Sequence, residues 1–205
     1  MNKWIVAIGA SGASGLQDLC LILSGLPINL NAAVLIVLHR SWDEPSHLRD
    51  VLSRHSKLPV VIAGQGDRIE RGVAYIGEPS IHLTLLERSF ALLTDDRQRV
   101  HGNRTIDLLF HSVALCGGHN TIGVILSGSL DDGSRGLAAI HQAGGKTMVL
   151  GHQGLPDSGM PRNAFLFDGP VSVAESAPML AKAIVRLVTS KRIQSIYFGA
   201  ADETL

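Results

Sequence analysis

Short unbroken apolar runs alternate along this chain with segments whose apolar residues recur at helical spacing. "WIVAIG" reads as a buried strand ending in glycine. Leu16, Leu19, Cys20, Leu23 and Leu26 then follow as one helix face, closed by Pro27. "AAVLIVL" predicts a second buried strand, ending at His39. "SHLRDVLSRH" carries Leu48, Val51, Leu52 and His55 on one helical face, and "PVVIA" is a third strand. This βαβαβ opening is the signature of a parallel sheet with helices on both faces.

The rhythm breaks between Gly64 and Asp96. "GVAYIGEP", "IHLTLLE" and "SFALLTD" are short β-rich runs separated by turn residues, and predict an antiparallel hairpin excursion at a sheet edge. Alternation then resumes. "TIDLLFHSVALC" is a helix stopped by Gly117 and Gly118, "TIGVILSG" a strand, "GSRGLAAIHQAGG" a helix and "KTMVL" a strand. "SAPMLAKAIVRLVTSKR" has a serine at the cap position and proline in its first turn. The expected fold is α/β: a doubly wound, mostly parallel, Rossmann-like sheet with the hairpin around residues 64–96. Residues 1–191 read as one domain and 192–205 as a C-terminal tail without clear pattern.

Composition narrows the classes. With 18 basic and 18 acidic residues the net charge is zero, and aromatics are 4% of the chain, so neither a nucleic-acid surface nor a base-stacking platform is expected. Cys20 and Cys116 lie in apolar, helix-like segments and read as buried thiols of a reducing compartment. The longest apolar run, Ala32 to Leu38, is too short to span a bilayer. Met1-Asn2-Lys3 before "WIVAIGASGAS" vaguely resembles a signal peptide. A buried first strand fits better, because the next segment continues the pattern. The expected location is cytoplasmic.

Ligands of an open parallel sheet bind at the carboxyl ends of its strands. Ser11 follows the first strand, His39 ends the second, and Ser127, Ser129, Asp131 and Asp132 follow "TIGVIL". "GASGASG" between strand and helix also admits a dinucleotide reading, with backbone amides on a pyrophosphate. An NADP-binding oxidoreductase of the Tyr-x-x-x-Lys type is opposed by the absence of that lysine after Tyr75 and Tyr197, although Arg40 would suit a ribose phosphate. A serine nucleophile instead needs a base within reach and a carboxylate to orient that base. His39, one βαβ unit on, and Asp132 in "LSGSLDDG" supply them. Taken singly, His39 reads as a satisfied strand-end histidine and Asp132 as a turn or cap residue. Together on one rim they favour chemistry. No His-Glu-x-x-His or Cys-x-x-Cys spacing occurs, and His47, His55, His111, His119 and His141 read as ordinary positions on or beside helices. No metal and no cofactor is expected.

"IVAIGAS", "VLIVLHR", "GDRIERGVAYIGEPSIHL", "IDLLFHSVA", "TIGVILSGSLDDGSRGLAAIHQAGGKT" and "SGMPRNA" follow in that order. In this combination they resemble the catalytic domain of CheB-type chemotaxis protein-glutamate methylesterases. The resemblance implies a doubly wound α/β domain that hydrolyses γ-glutamyl methyl esters on chemoreceptor helices and, in many members, deamidates receptor glutamines. It places the nucleophile at Ser11, the base at His39 and the orienting acid at Asp132, with Asp131 before it. It also implies an oxyanion amide at Ser129, and Gly12 at the first helix start is a second candidate donor.

The sequence departs from the family pattern in places. Ala13 and Ser14 replace two glycines, which makes Ser14 a rival nucleophile. Met-Pro after the histidine becomes Arg40-Ser41, and an arginine-rich segment becomes "HGNRTID" with Arg104 alone. Arg40 and Arg104 are therefore candidate substrate-side residues. Expected partners are methylated chemoreceptor helices or another methyl-esterified protein. A receiver domain usual in the family does not precede the serine, so a separate regulatory receiver protein is the expected alternative to unregulated action. The leading alternative of another class is a catalytically weak binding module on the same fold.

Overall fold

The computed structural model describes residues 3–41, 46–79, 81–86, 90–95, 104–167 and 171–190. The tail expected from residue 192 lies outside them. Strand β1 (Trp4–Ser11) passes directly into α1 (Gly12–Gly25), followed by β2 (Ala32–His39), α2 (Leu48–His55) and β3 (Val60–Ile62). Then come β4 (Ala74–Ile76), β5 (Ile81–Leu86), β6 (Phe90–Asp95), α3 (Thr105–Gly117), a 3-10 turn, and β7 (Thr121–Ile125). The chain continues with α4 (Ser134–Gln142), β8 (Lys146–His152), β9 (Leu155–Pro156), α5 (Met160–Phe167), β10 (Ser172–Ala174) and α6 (Ala177–Thr189).

The main sheet runs β10-β8-β7-β1-β2-β4-β3 with every neighbour parallel, and β9 joins β8 antiparallel. Alternate residues of each strand face opposite ways. Val6, Ile8 and Ala10 of β1 pack with Leu19 and Ile22 of α1, Leu52 of α2 and Leu180 of α6 on one face. Ile5 and Ala7 pack with Ile106 and Phe110 of α3, Leu137 of α4 and Met160 of α5 on the other. The doubly wound architecture is as expected. Successive strands leave β1 first toward β2 and later toward β7, so the reversal of strand order falls between β1 and β7. Crevices at such a reversal are where this architecture binds ligands.

The excursion differs from its expectation in two ways. The antiparallel pair is confined to β5 and β6, which form a separate two-stranded sheet and not an edge of the main one. It buries Leu83, Leu85 and Ala91 in the α3 side of the core. "AYI" of β4 is not part of it: these residues insert in parallel between β2 and β3. Burial explains the order. All of β4 is buried, as an inner strand must be, whereas Val61 and Ile62 of β3 are each 37% exposed and suit an edge.

Two smaller expectations are also corrected. His55 is exposed and does not share the buried face of Leu48 and Leu52, because the helix ends there, with Ser56 N–H on Leu52 O. Cys20 and Cys116 are half-buried and form no disulfide. Burial nevertheless pushes the Cys20 thiol up, toward the protonated form. No helix among the described residues is long and apolar enough to cross a membrane.

Candidate active site

Ser11 and His39 end adjacent parallel strands and are register partners. Ser11 keeps extended backbone (φ −145°, ψ 140°), and the helix begins at the next residue. That abrupt turn needs φ +70° at Gly12, which glycine adopts without a Cβ penalty. The Ser11 N–H is tied to Ser127 O at 3.0 Å, fastening the end of β1 to the loop after β7.

Asp132 arrives from that loop and is 4% exposed. Its Oδ2 lies 2.8 Å from His39 Nε2. Oδ2 also accepts the Ile106 N–H and Oδ1 the Asp107 N–H, both at 2.9 Å. The carboxylate thus sits on the N-terminus of α3, where free N–H groups and the helix dipole favour a negative charge. Asp131 faces solvent, and its carbonyl accepts the Ser134 N–H. Thr105 Oγ1 lies 3.1 Å from the same His39 nitrogen. An ionised carboxylate only accepts, so a neutral His39 ring bonded to it carries its proton on Nε2 and its lone pair on Nδ1. In the chymotrypsin template of the Ser-His-Asp triad the acid binds Nδ1 instead. Ser11 Oγ makes no hydrogen bond to another described residue. Catalytic hydrogen bonds of ligand-free sites often tighten only when substrate binds.

The loop after β7 is wedged from behind. A Cβ on Gly128 would stand 2.4 Å from Met160 Sδ and 2.7 Å from Ser11 Cβ. Gly128 O accepts the Met160 N–H at 2.9 Å, and Leu130 O accepts from Asn163 Nδ2 at 2.5 Å. Leu130 carries φ +70°, a strained value for a residue with a side chain. Ser129 stands exposed between them. The Ser129 N–H is bonded to no other described residue, and the Gly12 N–H, next to Ser11 in the chain, opens α1.

The other expected residues fall as follows. Ser14 is exposed, one turn into α1 and off the strand end. Arg40 points its donors inward: Nε to Ser46 Oγ at 2.9 Å, Nη1 to Leu38 O at 3.1 Å and Nη2 to Gly77 O at 2.7 Å. Burial pulls its pKa down, opposed by Glu78. Arg104 is exposed just before α3, next to Thr105. A cleft of about 380 Å³ opens beside His39, lined by Gly12, Leu16, Leu38, Arg40 and Val51 among others. Among the described residues no group of three His, Cys, Asp or Glu is placed to hold a metal ion.

Sequence reasoning missed Thr105, Asp107 and Met160. A hydroxyl residue and an acid at a helix start signal capping. Nothing in their spacing says which side chain from another strand they meet.

A family model described as CheB methylesterase matches residues 6–182. The chain is 31% identical, over 95% of its length and 55% of the relative's, to a Chromohalobacter salexigens protein named protein-glutamate methylesterase/protein-glutamine glutaminase. It is 34% identical to the Escherichia coli K12 protein of the same name, over 88% of this chain and 53% of that one. It thus spans about half the length of the curated relatives it matches. Among solved structures it is similar to the Thermotoga maritima CheB methylesterase catalytic domain, with a TM-score of 0.79 and 25% identity over 92% of this chain and 100% of that one. The fold that brings Ser11, His39 and Asp132 to one rim is that of these relatives, and the chain belongs to the CheB methylesterase family.

Proposed function

We propose that this chain is a serine esterase that hydrolyses glutamate γ-methyl esters on chemoreceptor helices in the cytoplasm, and deamidates glutamine at the same site. One observation carries the reading: His39 stands in register beside Ser11 and is bonded through Nε2 to the buried Asp132. The names of the relatives support the substrate class.

Ser11 Oγ attacks the ester carbonyl as its proton passes to His39 Nδ1. The imidazolium that forms is stabilised by Asp132. The Gly12 and Ser129 N–H groups are the donors for the oxyanion. Collapse breaks the bond to the methoxy oxygen, which takes the proton from His39 and leaves as methanol. Water then attacks the acyl-enzyme, giving its proton to His39. The Ser11 ester bond breaks, Ser11 regains the proton from His39, and the glutamate carboxyl formed releases its own proton to water. A glutamine amide follows the same course with ammonia as the leaving group. Water is the only co-reactant.

The test is release of labelled methanol from receptor membranes carrying methyl esters, with Ser11→Ala alongside. Loss of nearly all release in the variant is expected. A variant that kept the wild-type rate would overturn the nucleophile, and a wild type without release would overturn the substrate.

A further inference from the structure

Helices α3 and α4 lack N-terminal caps of their own. Arg104 before α3 makes no side-chain capping bond, and Gly133 before α4 has no side chain to offer. Each helix is capped instead by an acid belonging to the other. Asp132, just before α4, takes the first-turn N–H groups of Ile106 and Asp107 in α3. Asp107, in the first turn of α3, accepts the Gly136 N–H of α4 at 2.8 Å. Asp107 is 7% exposed, so water does not readily replace it in this bond.

Packing forces the two helix starts together. A Cβ on Gly136 would stand 2.4 Å from Phe110 Cβ and 3.2 Å from Asp107 Cα. Only a glycine lets α4 approach closely enough for the bond to form. The exchange closes a ring from Asp132 to the Asp107 backbone, from the Asp107 carboxylate to Gly136, and from Gly136 back along the chain to Asp132, which carries His39 on its outside.

We infer that Asp107 is a positioning residue: by capping α4 it fixes the segment carrying Asp132 against the start of α3, and so keeps the acid on His39 Nε2. This inference deepens the triad reading and rests on it. Asp107 touches neither His39 nor Ser11 through any bond found among the described residues, and it acts through Asp132.

The experiment uses the full chain labelled with nitrogen-15 histidine, as wild type, Asp107→Ala and Asp107→Asn, with His39→Gln to assign the His39 signals. Ring nitrogen shifts report the tautomer without any need for turnover, and methanol release gives kcat and KM. In wild type His39 is expected with its proton on Nε2. Asp107→Ala is expected to mix the tautomers and lower kcat by about 10- to 100-fold at little-changed KM, the size of effect a misplaced catalytic group produces. Asp107→Asn keeps an oxygen for Gly136 and is expected to restore both. If the alanine variant does not fold, Asp107→Glu, which shifts the carboxylate by one methylene, is read the same way. A displaced-carboxyl variant that loses stability while keeping tautomer and kcat would overturn the inference, as would an asparagine variant no better than alanine. If wild type releases no methanol, the substrate reading fails, and the tautomer comparison still decides the role of Asp107.

Discussion

His39 is held between two elements: β2 sets it beside Ser11, and Asp132 grips its Nε2 from the start of α4 at 2.8 Å. The same carboxylate caps α3, so under the proposed mechanism catalysis and stability meet in one side chain.

Asp132→Asn therefore has two expected effects. The amide offers one oxygen where the carboxylate serves three donors, and its NH2 must face an N–H. A fall in kcat of about 10³- to 10⁴-fold is expected from the lost tautomer control. Stability should fall by about 1–2 kcal/mol, the scale of a lost helix cap. Methanol release and urea unfolding measure them. A variant that lost stability alone would make Asp132 a cap and nothing more.

Gly128→Ala places a methyl group against Met160 Sδ and Ser11 Cβ. The methionine can yield, but Ser11 Cβ is fixed by the backbone bond to Ser127. A loss of about 1–3 kcal/mol from overpacking is expected, with kcat falling because Ser11 is pushed off the strand end. Unchanged melting and turnover would show that the loop is not wedged against Ser11.

Arg40→Ala distinguishes a clamp from a substrate ligand. Its three bonds join the ends of β2 and β4 and the entry to α2. The clamp reading expects a lower Tm and a lower kcat as His39 shifts, at nearly constant KM. A raised KM at unchanged Tm would move Arg40 to the substrate surface.

Asp107 gives stability a pH dependence. Burial pushes its carboxyl above the ordinary range; the Gly136 N–H pulls it back, Asp132 pushes further, and His111 and Arg135 pull back. The folded chain thus holds this proton more tightly than the unfolded chain does. Its contribution is fully present below the unfolded carboxylate pKa and is lost as pH rises through the raised folded value. Asp107→Asn removes that loss. Its stability relative to wild type is expected to improve as pH climbs from the carboxylate range toward neutrality, as read by urea unfolding at each pH. A constant difference between the two proteins would contradict the shift.

Much of the fold was legible because parallel strands buried on both faces read as unbroken apolar runs, and Ser11, His39 and Asp132 stand where such strands end. What was not legible depended on contacts between distant segments. Three-residue β4 hid in a turn-rich stretch and took the inner position between β2 and the "PVVIA" strand. Arg40 beside a candidate base reads as a substrate-side residue, and nothing in its spacing reveals that Leu38, Ser46 and Gly77 accept from its donors. Thr105 and Asp107 sit in a plain helix-start pattern, and their second partners, His39 and Gly136, lie 66 and 29 residues away.

The most direct measurement is covalent labelling of the full chain with a fluorophosphonate probe, followed by mapping of the modified serine. Such probes report an activated serine whatever the natural ester is. Modification of Ser11 alone is expected, abolished in His39→Gln and unchanged in Ser14→Ala. Labelling at Ser14, or labelling of Ser11 that does not need His39, would contradict a serine activated by the strand-end histidine.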